Sequence, residues 1–198
     1  MLPRAETFGR RLVRAAAPSL VLPLAALGRR WLDAEIERLE PSSGRLADVL
    51  TPRERAPLEP WFEPATLERA RLVAIHRLRG PRPLRWARAL RLPVDLDFAR
   101  ASGVALDHLI ALTDQGGGFA CSPALIFHEL VHVAQFRLLG RRDFVRRYVR
   151  GWLDSGAYAR IPLEAQAFAL EAAFRRGEPP QAVEARLRAE LLAQPRTR

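Results

Sequence analysis

The strongest chemical signal in the chain is His128-Glu129-Leu130-Val131-His132, an H-E-x-x-H run. On a helix of 3.6 residues per turn, positions i and i+4 project from one face about 6 Å apart. Two imidazoles so spaced can bind one Zn²⁺ through ring nitrogens at about 2.0–2.1 Å. Glu129, about 100° round the helix from His128, then lies beside the ion rather than on it. From there it can take the proton of a water acidified at the site, and that water attacks a polarised carbonyl. Chance puts this pattern in about one chain in two hundred of this length. The flanks improve on those odds, because Leu125, Ile126, Phe127, Leu130, Val131 and Val133 are apolar. A helix buried nearly all round makes two histidines and a glutamate costly unless something satisfies them, and a metal does so while keeping the imidazoles neutral.

A catalytic zinc takes three protein ligands and leaves one position open. No histidine or cysteine follows His132, so a carboxylate from another helix has to complete the set. Glu164 is the choice: it stands at the start of an apolar helix, among Leu163, Ala165, Ala167 and Phe168, where a carboxylate needs a partner. Glu171, seven residues on and on nearly the same face, is the alternative ligand or a group that braces one. Tyr158, just before this helix, is a candidate hydroxyl for stabilising the oxyanion of a tetrahedral intermediate, weighed against an ordinary part-buried tyrosine. Tyr148 has the weaker claim.

The elements that must position these residues read as follows. Ser122 suits an N-cap, Pro123 the first helical position and Gly140 the C′ site of the motif helix. Asp143–Trp152 is a second, very basic helix, Ile161–Arg176 a third, and a polar helix that frays after Pro195 follows Pro179-Pro180. Asp107–Thr113 reads as a strand, and Asp114-Gln115-Gly116-Gly117-Gly118 as a turn. Upstream, Trp31–Leu39 is helical, 51–64 is a proline-rich connection with one short helix, and 84–92 is a short basic helix. The stretch from Ala65 begins helical and turns to strand near Leu72–Leu78, with Leu72, Ala74, His76 and Leu78 on one face. The expectation is α+β: a mainly helical domain with a small β-sheet or hairpin before the metal-binding helix. Residues 1–44 form an N-terminal helical segment, peripheral to a domain over 45–198.

These residues resemble a family. The His128/His132 pair with distal Glu164 is similar to the gluzincin branch of the zincin metallopeptidases, the thermolysin-like clan. The chain more closely resembles a group of small bacterial metallopeptidase-like proteins. Their shared run is a Gly-containing strand, a Gly-rich turn, HELVHVxQ, a basic helix with a tyrosine, and a Tyr-x-x-Ile-Pro-x-Glu step. The counterparts here are Gly103 to Leu112, Gly116–Gly118, His128 to Gln135, Tyr148, and Tyr158 to Glu164; the likeness covers about residues 94–175. It implies a zincin-like domain, zinc held by His128, His132 and Glu164, Glu129 as general base, and peptide or protein as substrate. In zincins a strand like Asp107–Thr113 borders the cleft and pairs with extended substrate. Two departures bear on activity more than on metal binding. The acid that thermolysin-like enzymes carry four residues after the ligand glutamate is Phe168 here, and no separate domain supplies a histidine to the transition state.

Composition sets the margins. The 198 residues hold 32 basic side chains, all arginine, against 22 acidic ones, for a net charge of +10. The excess permits anionic partners. An acidic partner or an anionic membrane surface fits it better than nucleic acid, for which no motif is present. Arg82–Arg91 and Arg141–Arg150 are placed to line the rim of a cleft. One cysteine, Cys121, excludes an intrachain disulfide framework and a four-cysteine zinc ribbon. His76 and His108 read as structural or surface residues, Cys121 as a small buried one, and Gly116–Gly118 as a tight turn rather than a phosphate loop. The uncharged run from Ala15 to Gly28 is too short to span a bilayer. A cytoplasmic location is favoured, with secretion or a periplasmic site the alternative because arginines precede that run.

Overall fold

The structure, a computed structural model, describes residues 4–40, 48–76, 78, 80, 101–113 and 122–193. The helix expected at 84–92, the turn at 114–118, Cys121, Arg82–Arg91 and the frayed end after Pro195 lie outside these residues. The described chain is α+β, mainly helical with one three-stranded sheet.

Helix α1 (Arg4–Leu39) begins well before Trp31 and runs through Pro18 and Pro23, the residues that argue against a helix there. Tertiary contact accounts for it. Val21, Ala25, Leu32 and Ile36 are buried along one face, and Val21 packs on Leu153 with Leu24, Val149 and Trp152 around it. A proline inside a helix costs about 3 kcal/mol, whereas each buried aliphatic side chain returns about 1.5–3 kcal/mol.

The proline-rich connection holds two short helices, α2 (Pro52–Arg55), with a capping box between Thr51 and Glu54, and α3 (Pro64–Arg69). Strand β1 (Arg71–Ile75) follows. Val73 and Ile75 are buried, and so are Leu72 and Leu78 of the expected face, while Ala74 and His76 on that face are exposed. Strands β2 (Gly103–Leu106) and β3 (Leu109–Thr113) form a hairpin. Its two-residue turn is Asp107-His108, with Asp107 left-handed at φ 61°, a conformation aspartate tolerates. That turn shortens the expected Asp107–Thr113 strand and takes His108 out of it. The sheet order is β1-β3-β2, with β3 parallel to β1 and antiparallel to β2. Strand β3 is therefore central and buried at every residue, and its backbone cannot pair with a substrate as expected. Among the described residues, the edge strand of the hairpin is β2.

Asp107 also ties the turn down. Its buried carboxylate accepts from Arg69 (2.8 Å) and Arg141 (2.7 Å), and Arg141 reaches Asp33 of α1 at 3.1 Å. Burial opposes the charge, but His108, Arg141 and Arg69 outweigh it and hold the carboxyl well below its usual range.

Helix α4 (Pro123–Ser155) carries the motif. Ser122 Oγ accepts from the Leu125 N–H at 3.1 Å, and Pro123 opens the helix. Gly140 (φ 74°, ψ 159°) breaks it in the middle, at the residue expected to end it. The basic helix expected from Asp143 is the far half of α4. A 3₁₀ turn (Tyr158–Arg160), α5 (Pro162–Arg175) and α6 (Val183–Ala193) follow. One flank of α4 fills the core: Phe127 stacks on Phe174 (ring centroids 4.5 Å) and meets Trp61 and Phe62 edge-on.

The far end of α4 sets where α5 begins. A Cβ on Gly151 would stand 2.5 Å from Pro162 Cδ, a contact that forces the two helices apart. We expect Gly151→Ala to destabilise the fold by about 1–3 kcal/mol, the usual cost of overpacking, measured by urea denaturation. The displaced start of α5 carries Glu164, so metal affinity should fall with stability; an unchanged denaturation midpoint would show that the contact relaxes freely.

Candidate metal centre

The near half of α4 is buried from Ile126 to Phe136, with His128, Glu129 and His132 all nearly inaccessible. Across from them, the first turn of α5 presents Glu164, also buried. The structure brings His128, His132 and Glu164 together as one group able to hold a metal. His128 Nε2 and His132 Nε2 are 3.2 Å apart, and Glu164 Oε2 is 3.3 Å from each. A tetrahedral Zn²⁺ with bonds of about 2.0–2.1 Å has ligand–ligand edges of about 3.3 Å. The three atoms thus form one face of such a tetrahedron, and the donor set is the two imidazoles and one carboxylate expected.

The hydrogen bonds behind these atoms decide where the protons are. His128 Nδ1 is 3.0 Å from Glu171 Oε2. A carboxylate only accepts, so Nδ1–H donates and Nε2 keeps its lone pair. His132 Nδ1 is 2.8 Å from Gln135 Oε1. The amide cannot be the other way round, because Gln135 Nε2 donates to the Leu163 carbonyl and to Gln166 Oε1, each at 3.0 Å. Gln166 Nε2 in turn donates to Glu190 of α6 at 2.8 Å. A chain anchored on a carbonyl and a carboxylate fixes the His132 tautomer from outside. Glu164 has its own brace, the Tyr148 hydroxyl, which donates to Glu164 Oε1 at 2.8 Å and leaves Oε2 to face the histidines. With neutral imidazoles, three lone pairs converge on one point, an arrangement that requires a cation there. Bracing of this kind orients metal ligands and tunes their basicity.

Electrostatics agree. Burial disfavours charge on His132, but the Glu164 carboxylate and its hydrogen bond outweigh that, and the His132 pKa rises to about 9. Burial likewise opposes ionised Glu164, yet His132 and His128 hold its carboxyl well below the usual range. Without a metal, a proton on His132 serves as the cation.

Glu129 is not part of the triangle. It lies against strand β2, where a Cβ on Gly103 would come within 3.1 Å of its Oε1, and its carboxylate accepts from the Ala105 N–H. Burial pushes its pKa up, against the pull of His132 and His128. Tyr158 lies on the 3₁₀ turn with about a third of its surface exposed (37%). Its hydroxyl hydrogen-bonds Glu164, and burial together with the Glu164 and Glu129 fields raises its pKa. Phe168, in place of an acid, packs on the His128 ring at 4.7 Å and meets Tyr158 edge-on. Glu171, one turn further along α5, does the bracing instead.

Three contributors have no role assigned from the sequence: Gln135, Gln166 and Glu190. The signal for Gln135 was present, since it is a polar residue on a helix buried all round. Of the two arginine stretches expected at the rim, only Arg141–Arg150 lies among the described residues, and most of its arginines are paired. Arg141 is bound to Asp107 and Asp33, Arg146 to Asp143, Arg150 to Asp154, and Arg147 to the Leu191 carbonyl.

No family model, no curated protein and no solved structure matches this chain.

Proposed function

We propose that this chain is a zinc-dependent metallopeptidase, with His128 Nε2, His132 Nε2 and Glu164 Oε2 holding the ion and Glu129 acting as general base. The observation that carries the reading is the convergence of three braced lone pairs beside a buried carboxylate outside the ligand set. When bound, Zn²⁺ supplies Lewis-acid polarisation of the scissile carbonyl and acidification of water. The rest falls to the chain. Glu129, with its pKa raised by burial, takes the proton of the attacking water and passes it to the leaving amine. Tyr158 can turn its hydroxyl hydrogen bond from Glu164 to the carbonyl oxygen as negative charge develops there. Phe168 covers one side of His128 with aromatic surface, and Tyr158 backs Phe168 edge-on.

Strand β2 fits the substrate-binding role. The Thr113 N–H bonds to the Ser102 carbonyl, and the antiparallel alternation from that pair directs the backbone groups of Gly103 and Ala105 away from β3. Glu129 already accepts from Ala105 there. An extended peptide added along β2 would bring its backbone beside the general base.

The test is metal analysis joined to cleavage. Purified protein should carry about one zinc per chain, and His132→Ala should lose it. Hydrolysis of a mixed peptide library, read by mass spectrometry, should stop on chelation and return with zinc. A chain without metal overturns the reading entirely. One that binds zinc but cleaves nothing in the library overturns the peptidase and leaves a zinc-stabilised module.

A further inference from the structure

Among the described residues, large apolar side chains that remain exposed gather in two places outside Val49: Tyr158 and Phe168 at the candidate centre, and Leu20, Leu22 and Leu27 on α1. The second group has no part in the proposed chemistry. Leu22 is 65% exposed, Leu27 43% and Leu20 37%, and Pro23 and Ala26 are exposed between them. The opposite face of the same stretch, Val21 and Ala25, is buried against the far half of α4. This part of α1 is therefore apolar on both sides, and only one side is used by the fold.

The charge around this face is mainly positive; the nearest acid is Asp33, one turn beyond Arg29 and 3.5 Å from its guanidinium. Between Thr7 and Leu32 the helix sequence holds Arg10, Arg11, Arg14, Arg29 and Arg30 and no acid. Arg29 and Arg30 are exposed, at the end of the uncharged run. An aliphatic face with arginines at both ends of the run is the composition of a helix that lies in the plane of an anionic membrane surface. There leucines enter the acyl boundary while arginines reach the headgroups. No helix among the described residues is long and apolar enough to cross a membrane. A folded protein partner is the poorer fit, because leucine, proline and alanine offer no hydrogen-bonding groups to fix a register.

We propose that the outward face of α1, centred on Leu22 and Leu27 and flanked by Arg29 and Arg30, docks the protein on an anionic lipid surface. The proposal is independent of the metal centre. The test is co-sedimentation of the full chain with vesicles of phosphatidylcholine alone and with about a third phosphatidylglycerol. Binding is expected to the anionic vesicles, at least tenfold weaker to the neutral ones, and to fall as salt is raised. Each arginine near an anionic surface is worth about fivefold in affinity, so R29Q/R30Q should weaken binding by up to about 25-fold. L22S/L27S should weaken it similarly at low salt. Both pairs change exposed side chains, and far-UV circular dichroism with the melting temperature verifies that the fold is kept. Equal affinity for both vesicles, no binding to either, or wild-type binding by both variants overturns the proposal. So does a stable dimer in sedimentation velocity that L22S/L27S dissociates, since the face would then belong to a second copy.

Discussion

Glu129→Gln is expected to leave zinc bound at wild-type stoichiometry and to lower kcat/KM for peptide cleavage by about 10²–10⁴-fold, the range for loss of a positioned general base. The separation of the two effects follows from position. Glu129 Oε1 faces Gly103 and the Ala105 N–H, not the triangle of His128, His132 and Glu164. Glutamine keeps an oxygen for the Ala105 N–H and removes only the ability to take a proton. A stability effect should accompany it. In the metal-free chain burial raises the Glu129 pKa above its ordinary 4.5. Between the unfolded and folded values the native state holds a proton that the unfolded state has released, so this residue costs stability as pH rises through that window and above it. The glutamine variant carries no such cost and should melt at or above the wild-type temperature at pH 7. A variant that lost zinc, or that cleaved at the wild-type rate, would remove Glu129 from the role of base.

The parts of this site that were legible in the sequence are those set by local geometry or by the cost of burying charge. The spacing of His128 and His132 needs only a helix, and Ser122, Pro123 and the apolar flanks specify that helix. Glu164 is found because a carboxylate in an apolar run demands a partner. The same rule applied to Gln135 would have found it, but glutamine is uncharged and draws less notice. What stayed hidden depends on distant parts of the chain meeting. Tyr148 reaches Glu164 only because Gly140 breaks α4 and redirects its second half. Gln135 matters because α5 brings Leu163 and Gln166 to it, and α6 brings Glu190 to Gln166. Likewise α1 persists through Pro18 and Pro23 because α4 lies along it, and β3 is central because a crossover outside the hairpin lays β1 beside it. Periodicity reports which residues face inward; it does not report which helix they face.

Zinc and a proton should compete for the same point, and the competition has a definite sign. With His132 raised to about 9 by Glu164, the metal-free centre is protonated at pH 7, and a metal can use the Nε2 lone pair only by displacing that proton. Zinc affinity should therefore rise about tenfold per pH unit between pH 7 and 8 and level off above about 9. Calorimetry in buffers of different ionisation enthalpy should register release of about one proton. Stability follows the same linkage. A histidine whose folded pKa lies above its unfolded value contributes stability that is fully present below the unfolded value of 6.5 and is lost as pH rises through about 9. Glu164, lowered by the histidines, contributes in the opposite sense. Its share is present above the ordinary 4.5 and is lost as pH falls below it. The metal-free chain should thus lose stability on both sides of neutrality, while zinc-loaded protein escapes the alkaline loss because its imidazoles are already neutral. At a thousandfold excess over Kd, zinc adds about 4 kcal/mol, which for a chain of this size raises Tm by about 8–16 °C. The gap between loaded and metal-free Tm should widen from pH 7 to pH 9. A gap independent of pH, with no proton released, would mean that His132 is already neutral in the metal-free fold and that the charge on Glu164 is balanced elsewhere.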